Sequence, residues 1–213
     1  MASWLAMSPR TLIFDFDGTI ADTFTPVVAI LNALASEFGY RQAEPGELPT
    51  LTQLEPRELA KRMGLPFHKL PLLAVRVRKE MAKNMPNVRP CKGIVPALTE
   101  LRQRGVGIGI LTSNSRENVS AFLAHNPDLT FDFISTGSGL FSKQKRLRRL
   151  LDKRGFALAH TSYVGDETRD IEAAKSLGMR MIAVGWGFSA PQLLSAKRPD
   201  HLIMDPAELL ALV

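Results

Sequence analysis

Short apolar runs alternate with segments of helical period from about residue 92 onward, and this rhythm restricts the fold more than any other feature of the chain. Residues 11–16, 106–111, 131–135, 162–164 and 181–184 read as strands, with 201–204 a weaker sixth. Several lack polar alternation, the pattern of strands buried on both faces of a parallel sheet. Between them, residues 95–104 run up to Gly105, a left-handed cap, and residues 169–177 carry Ile171, Ala174 and Leu177 on one face before Gly178. Gly107 and Gly109 are expected to let a helix pack closely on the second strand. The class is α/β: a Rossmann-like parallel sheet core with helices on both faces.

Residues 24–89 break the rhythm and hold no convincing strand. Thr25 is expected to cap a helix with Pro26 at its first position, and Val27, Ile30, Leu31, Leu34 and Phe38 form its apolar face before Gly39. Further helices are expected at 57–63, stopped by Gly64 and Pro66, and near 70–85, with a turn-rich loop at 41–50. A small all-helical unit therefore interrupts the sheet after its first strand. The division is residues 1–23 with 90–213 as the core and 24–89 as a helical insert. A length of 213 residues suits one large domain with an insertion.

The chain carries 27 basic and 21 acidic residues, a net charge of +6. That balance raises an anionic partner: nucleic acid, an acidic membrane surface or a phosphorylated small molecule. Aromatic residues make up only 7%, and no zinc-finger or RNA-binding aromatic motif is present, which argues against nucleic acid. No apolar run approaches the roughly 18 residues that span a bilayer. Residues 1–10 lack a basic start followed by a long apolar stretch, so no secretory signal is expected. Cys91 stands alone and allows no intrachain disulfide. The expectation is a cytoplasmic protein.

The chemistry concentrates at strand ends. Asp15-Phe16-Asp17-Gly18-Thr19 directly follows the first strand, and residues two apart on a strand point the same way. Two carboxylates about 4 Å apart repel by roughly 4 kcal/mol at an effective dielectric near 20. A divalent cation, or protonation of one of them, relieves this. Asp166 and Asp170, in Gly165-Asp-Glu-Thr-Arg-Asp170, end another strand and open a helix; capping alone explains them when read singly, and cation binding when read with the first pair. Leu111-Thr112-Ser113-Asn114-Ser115 follows the second strand, where hydroxyls and backbone N–H groups can hold phosphate oxygens, or where Ser113 or Ser115 simply caps a helix. The basic helix 143–154 buries Leu147, Leu150 and Leu151 and presents Lys145, Arg146, Arg148, Arg149, Lys153 and Arg154 as a mostly solvated face.

These four elements, in this order, resemble the haloacid dehalogenase superfamily, over essentially the whole chain from Thr11. The insert resembles that family's helical (C1-type) cap, and Gly185-Trp-Gly-Phe188 with the ending Asp205-Pro-Ala-Glu-Leu-Leu210 resembles its phosphoglycolate-phosphatase-like branch. The resemblance implies a phosphatase acting on a small phosphate monoester of a phosphorylated metabolite. Asp15 is implied as the nucleophile and Asp17 as general acid and base. Mg²⁺ is implied at Asp15, Asp17 (through its carbonyl) and Asp166, with Asp170 supporting. Thr112 and Lys143 are implied to bind the phosphoryl group, with Gly18, Ser113 and Asn114 completing the cradle. Lys145 rivals Lys143, which directly follows the loop 137–142. A phosphosugar mutase or other phosphotransferase uses the same pair, and a phospho-Asp signalling module without turnover is the alternative from another class. Arg57, Arg62, His68 and Arg76 are candidate contacts for an anionic leaving group, or solvated side chains. Lys61, Lys69 and Lys83 are read as exposed cap lysines rather than imine formers.

Overall fold

The computed structural model describes residues 10–137 and 143–213. The expectation about the first nine residues, and residues 138–142 of the loop before Lys143, lie outside the described residues. In chain order the elements are β1 (Thr11–Phe14), α1 (Phe24–Phe38), α2 (Leu48–Leu51), α3 (Pro56–Met63), α4 (Leu70–Met81), α5 (Ile94–Gln103), β2 (Gly107–Leu111) and α6 (Arg116–Ala124). Then come β3 (Phe133–Ser135), α7 (Lys143–Arg154), β4 (Thr161–Gly165), α8 (Thr168–Lys175), β5 (Arg180–Val184), α9 (Pro191–Ala196) and β6 (His201–Ile203).

All six strands pair in parallel, in the order β3-β2-β1-β4-β5-β6. Both faces of the sheet are apolar, and alternation along each strand divides the core in two. Leu12, Phe14, Ile108, Ile110 and Val164 pack on one side with Ile94, Leu98 and Leu101 of α5 and Val119 and Phe122 of α6. Ile13, Tyr163, Met181 and Ala183 pack on the other with Leu147, Leu150 and Leu151 of α7, Ile171 and Ala174 of α8, and Leu194 of α9. The chain builds β2 and β3 to one side of β1, then crosses to build β4, β5 and β6 on the other. The C-terminal ends of the strands beside β1 thus flank a crevice, the usual ligand position in open α/β sheets.

Several boundaries differ from the sequence expectation. The first strand stops at Phe14 rather than residue 16, because the Phe16 carbonyl accepts from the N–H groups of Ile20 and Ala21, both at 2.9 Å, and turns the chain. α1 begins two residues before the position expected from Thr25. Its N-cap is Thr23, whose carbonyl accepts from Val27 N at 2.9 Å, and Pro26 sits inside the first turn, where its missing N–H costs nothing. The loop expected at 41–50 contains a 3₁₀ turn, Pro45–Glu47, closed reciprocally by Glu44 and Glu47, followed by α2. α4 ends at Met81, ahead of Pro86, which sits in a separate 3₁₀ turn, Met85–Asn87.

Gly109 also serves a different partner from the one expected. A Cβ built there would lie 2.1 Å from Phe133 Cζ, so the close approach is by an aromatic ring of the neighbouring strand and not by a helix. That ring also packs against Phe156, at 5.4 Å between centroids, and the Arg154 guanidinium lies over it at 4.8 Å. Gly109→Ala should therefore cost about 1–3 kcal/mol by overpacking. Urea unfolding should show this as a lower midpoint, with part of the loss recovered when Phe133→Leu is added.

Candidate active site

Three adjacent strands deliver the site. Asp15 follows β1, Thr112 follows β2 and Asp166 follows β4, all at the same edge of the sheet. The Asp15 N–H donates to the Val164 carbonyl at 2.8 Å, which continues the β1–β4 ladder one residue and fixes the carboxylate at the strand end. Lys143, the first residue of α7, sends its ammonium group from the helix to Asp15 Oδ2 at 2.7 Å and to Asp170 Oδ1. Lys145, the rival candidate, is exposed.

Asp15, Asp166 and Asp170 are all buried, and each offers a carboxylate oxygen within 4.8 Å of the others. Asp166 is held from both sides. Thr19 Oγ1 donates to Oδ1 at 2.7 Å, and the Phe188 N–H donates to Oδ2, also at 2.7 Å. Gly18, at φ +73°, makes room for it: a Cβ there would fall 2.4 Å from Asp166 Oδ2. Asp170 has a capping duty too, since its Oδ2 accepts from Glu167 N at 3.1 Å.

Asp17 faces a different surrounding. The Asn114 amide Nδ2 donates to its two oxygens at 3.1 and 3.0 Å. The amide is oriented because its Oδ1 accepts from Ser115 N and from Asn118 Nδ2, both at 2.8 Å. Thr112 supports the same turn, accepting from Asn114 N at 2.9 Å, while Ser115 caps α6 by accepting from Asn118 N at 3.2 Å.

Charge follows from this packing. Burial pushes the Asp17 carboxyl up to about 7, helped by the charge of Asp15 and opposed by the hydrogen bonds from Asn114. Burial also raises Asp170, to about 6, against the pull of Lys143, and raises Asp166, where Glu167 and Asp15 add to it. Burial works against the charge of Lys143, but Asp15 and Asp170 outweigh it and hold the ammonium charged. One ammonium cannot neutralise three buried carboxylates. The donor set is all oxygen, close-set and negative in excess, so it fits a hard divalent cation.

A cavity of about 420 Å³ opens at Asp17, Ser113 and Asn114 and runs between the strand ends and the helices of residues 24–89. Its walls are mostly apolar, from Phe24, Val27 and Leu31 of α1, Leu59 and Met63 of α3, and Leu73, Val77 and Met81 of α4. Arg78 and Arg169 are the cations that line it. Arg57, Arg62, His68 and Arg76 do not. Arg57 lies over the Phe67 ring at 5.2 Å, Arg76 pairs with Glu80 at 3.3 Å, and Arg62 and His68 are exposed. Among the lysines set aside, Lys69 donates to the Phe38 carbonyl at 2.9 Å and Lys83 to Glu80 at 2.6 Å, while Lys61 is exposed.

Sequence reasoning missed the Asn114 side chain on Asp17, Asn118 behind it, Thr19 and the Phe188 N–H on Asp166, and Arg78 in the cavity. The spacing of Asn114 and Asn118 by four, across a helix start, was the one available signal.

Similarity agrees with this geometry. The family model described as "Haloacid dehalogenase-like hydrolase" matches residues 12–184. The chain belongs to the haloacid dehalogenase-like hydrolases. It is 38% identical to the phosphoglycolate phosphatase of Synechococcus elongatus over 205 residues, covering 96% of this chain and 97% of the relative. It is 29% identical to the phosphoglycolate phosphatase of Agrobacterium fabrum, over 92% of this chain and 89% of that one. Its fold matches the crystal structure of a predicted phosphoglycolate phosphatase from Haemophilus somnus with a TM-score of 0.75, at 20% identity, covering 97% and 99% of the two chains. Like other members of its family the protein is a hydrolase, and it is a phosphatase. Among the described residues, no helix is long and apolar enough to cross a membrane.

Two outcomes follow from the electrostatics. Asp17, Asp166 and Asp170 all have folded values above the ordinary 3.8. The folded state therefore binds more protons than the unfolded one between pH 4 and 7, and stability is lost as pH rises through that window. Metal-free protein should lose about 5 °C in Tm between pH 5 and pH 8. The loss should be smaller in Asp17→Asn, and added Mg²⁺ should restore more stability at pH 8 than at pH 5. Separately, Asn114→Ala removes hydrogen bonds that favour the ionised form. Carbon-13 NMR titration of the metal-free variant should show the Asp17 carboxyl rising above its wild-type value.

Proposed function

We propose that the protein is a Mg²⁺-dependent phosphatase that hydrolyses a small phosphate monoester through an aspartyl-phosphate on Asp15. One observation carries the reading. A buried carboxylate held by Lys143 stands two residues from a carboxyl that burial raises to about 7, and the second one opens on a cavity. The first suits a nucleophile and the second a proton carrier near neutral pH.

In the first step an Asp15 oxygen attacks phosphorus, the bond to the ester oxygen breaks, and protonated Asp17 gives its proton to that oxygen. In the second, Asp17 takes a proton from water, whose oxygen attacks phosphorus and releases phosphate and the Asp15 carboxylate. Asn114, fixed by Ser115 and Asn118, keeps Asp17 aimed between these tasks. Thr112, Ser113 and Lys143 bind the phosphoryl oxygens, while Gly18 and Asn114 shape the cradle, their N–H groups being given to the Ala21 carbonyl and to Thr112 Oγ1. Asp15, the Asp17 carbonyl and Asp166 would hold Mg²⁺, with Asp170 supporting through its grip on Lys143. A bound Mg²⁺ supplies neutralisation of charge on the phosphoryl oxygens.

The leaving group lies on the Asp17 side, in the cavity. Residues 24–89 act as a cap over the core formed by 1–23 and 90–213, excluding bulk water when closed. Phosphoglycolate is the first substrate to test, given the names of the relatives, and Arg78 and Arg169 are the cations that could meet its carboxylate. We assign the protein to the cytoplasm, where the buried, unpaired Cys91 stays reduced.

The test is hydrolysis of a panel of phosphometabolites and a generic aryl phosphate by purified protein with Mg²⁺. Asp15→Asn should lose at least about 10⁴-fold in kcat while remaining folded. Asp17→Asn should lose about 10²–10⁴-fold. Wild-type turnover by Asp15→Asn would remove the nucleophile from the scheme.

A further inference from the structure

A second cavity, of about 300 Å³, opens beside the edge strand β3 and shares no lining residue with the cavity at Asp17. Arg116 of α6 and Arg146, Arg149, Lys153 and Arg154 of α7 line it, over a floor of Phe133, Ile134 and Leu150. No acidic side chain lines it. Among the described residues, none of the five cations enters an ion pair. Residues 1–9 and 138–142 contain no Asp or Glu, so those stretches supply no counter-charge either.

Fold stability does not account for this gathering. Arg146 gives its guanidinium to the carbonyls of Gly137 and Ser135 at 3.0 and 3.1 Å, and Arg154 packs on the Phe133 ring at 4.8 Å. Arg116, Arg149 and Lys153 have no such duty among the described residues. Arg146 and Arg149 are three apart on α7, and Arg149 and Lys153 four apart, which are the spacings at which like charges destabilise a helix. Arg116 is the first residue of α6, where a cation opposes the helix dipole. The positive end of that helix and the five side chains therefore act in the same direction, toward an anion in the cavity. Orthophosphate carries at most two negative charges near neutral pH, too few to answer five cations. A duplex nucleic acid does not fit so small a concavity, whereas a chain of linked phosphates does.

We propose that this cavity is a binding site, separate from the catalytic one, for a small molecule bearing two or more linked phosphate groups. The apolar floor gives such a ligand a surface for any non-phosphate part. Inorganic triphosphate and a nucleoside triphosphate share the recognised chemistry. The first tests the phosphate chain alone and the second adds the organic part.

Calorimetric titration of the full chain, loaded with Mg²⁺ at about 150 mM salt, should give inorganic triphosphate a Kd below about 100 µM. The Arg149→Ala/Lys153→Ala double variant, altered only at exposed positions, should bind it at least about tenfold more weakly while keeping kcat/KM for an aryl phosphate within about twofold. Arg116→Gln, on the other helix, should weaken it as well. Tighter binding of the nucleoside triphosphate, lost in the same variants, would identify the organic part as a determinant and support the site. Triphosphate binding no tighter than orthophosphate overturns the proposal. So does unchanged affinity in both variants, which would put the anion elsewhere, including in the catalytic site. Binding of a single-stranded oligonucleotide without binding of triphosphate also overturns it and makes the patch a nucleic-acid surface. Because the binding readouts require no turnover by Asp15, failure of the phosphatase scheme and failure of this site are separable.

Discussion

The Lys143 ammonium lies between Asp15 and Asp170 in a region closed to water, and much of the molecule is arranged around that contact. Asp15 comes from the end of β1, Asp170 from the first turn of α8 and Lys143 from the first residue of α7. The three can meet only if β4, which leads into α8, lies directly beside β1, and if α7 packs on the same face as α8. The strand order and the shared apolar cluster of Leu147, Leu150, Leu151, Ile171 and Ala174 provide both conditions. Burial makes the contact strong and also makes it incomplete. The Lys143 ammonium, with the Arg169 guanidinium nearby but paired to Glu167, leaves charge unanswered among Asp15, Asp166 and Asp170 at a place where solvent cannot screen it. A fold selected for stability alone would fill that space with apolar side chains.

Asp17 shows how the same strand end gives two carboxyls different properties. Asp15 points at an ammonium group, whereas Asp17 points at a neutral amide and a mostly apolar cavity. Desolvation without a full counter-charge is the larger influence on Asp17, so it can hold a proton near neutral pH. Asn114 moderates the rise and sets the direction, and its own oxygen is tied to Ser115 and Asn118, so the amide cannot flip without losing two hydrogen bonds. Separation of roles between two neighbouring carboxyls is thus a result of surroundings rather than of residue type.

The sequence made the sheet and the four acidic positions legible because each signal is local. A strand that is apolar on both faces, a glycine after a helix, and carboxylates two apart at a strand end are all contained in a few residues. What stayed hidden depends on contacts between distant segments. Phe188 touches Asp166 through a backbone N–H, which no residue type advertises, and Arg78 lines the cavity from α4, where its carbonyl accepts from the distant Asn118 Nδ2 at 3.0 Å. Gly109 could be read as a place of close approach, but not that Phe133 of the next strand would fill it. At the start of α1, Thr25-Pro26 looked like a cap followed by a first helical residue. The turn at Phe16 carries the helix register back to Thr23, so the hydrogen bonds of the preceding turn overrode a sound local signal. The basic face of α7 is solvated as expected, with Lys145, Arg148, Arg149, Lys153 and Arg154 exposed. One helix alone does not reveal that Arg116, from another helix, closes the other side of a concavity.

The net charge of +6 therefore divides into opposed regions. The acidic centre is interior and the cations lie largely outside it, many of them on α7. Over distances beyond about 8 Å salt screens these regions from one another, so an anionic substrate is drawn to the basic exterior without cancelling the interior field. Close in, the order reverses. A phosphate group approaching Asp15 meets unbalanced carboxylates as well as Lys143 and Arg169, and its affinity must be coupled to whatever neutralises them. Cation and phosphate each lower the electrostatic cost of the other, and by linkage the coupling is equal in both directions. A site that is negative when empty therefore takes up a phosphate dianion best together with a divalent cation, whose two positive charges offset the two negative charges that the dianion adds.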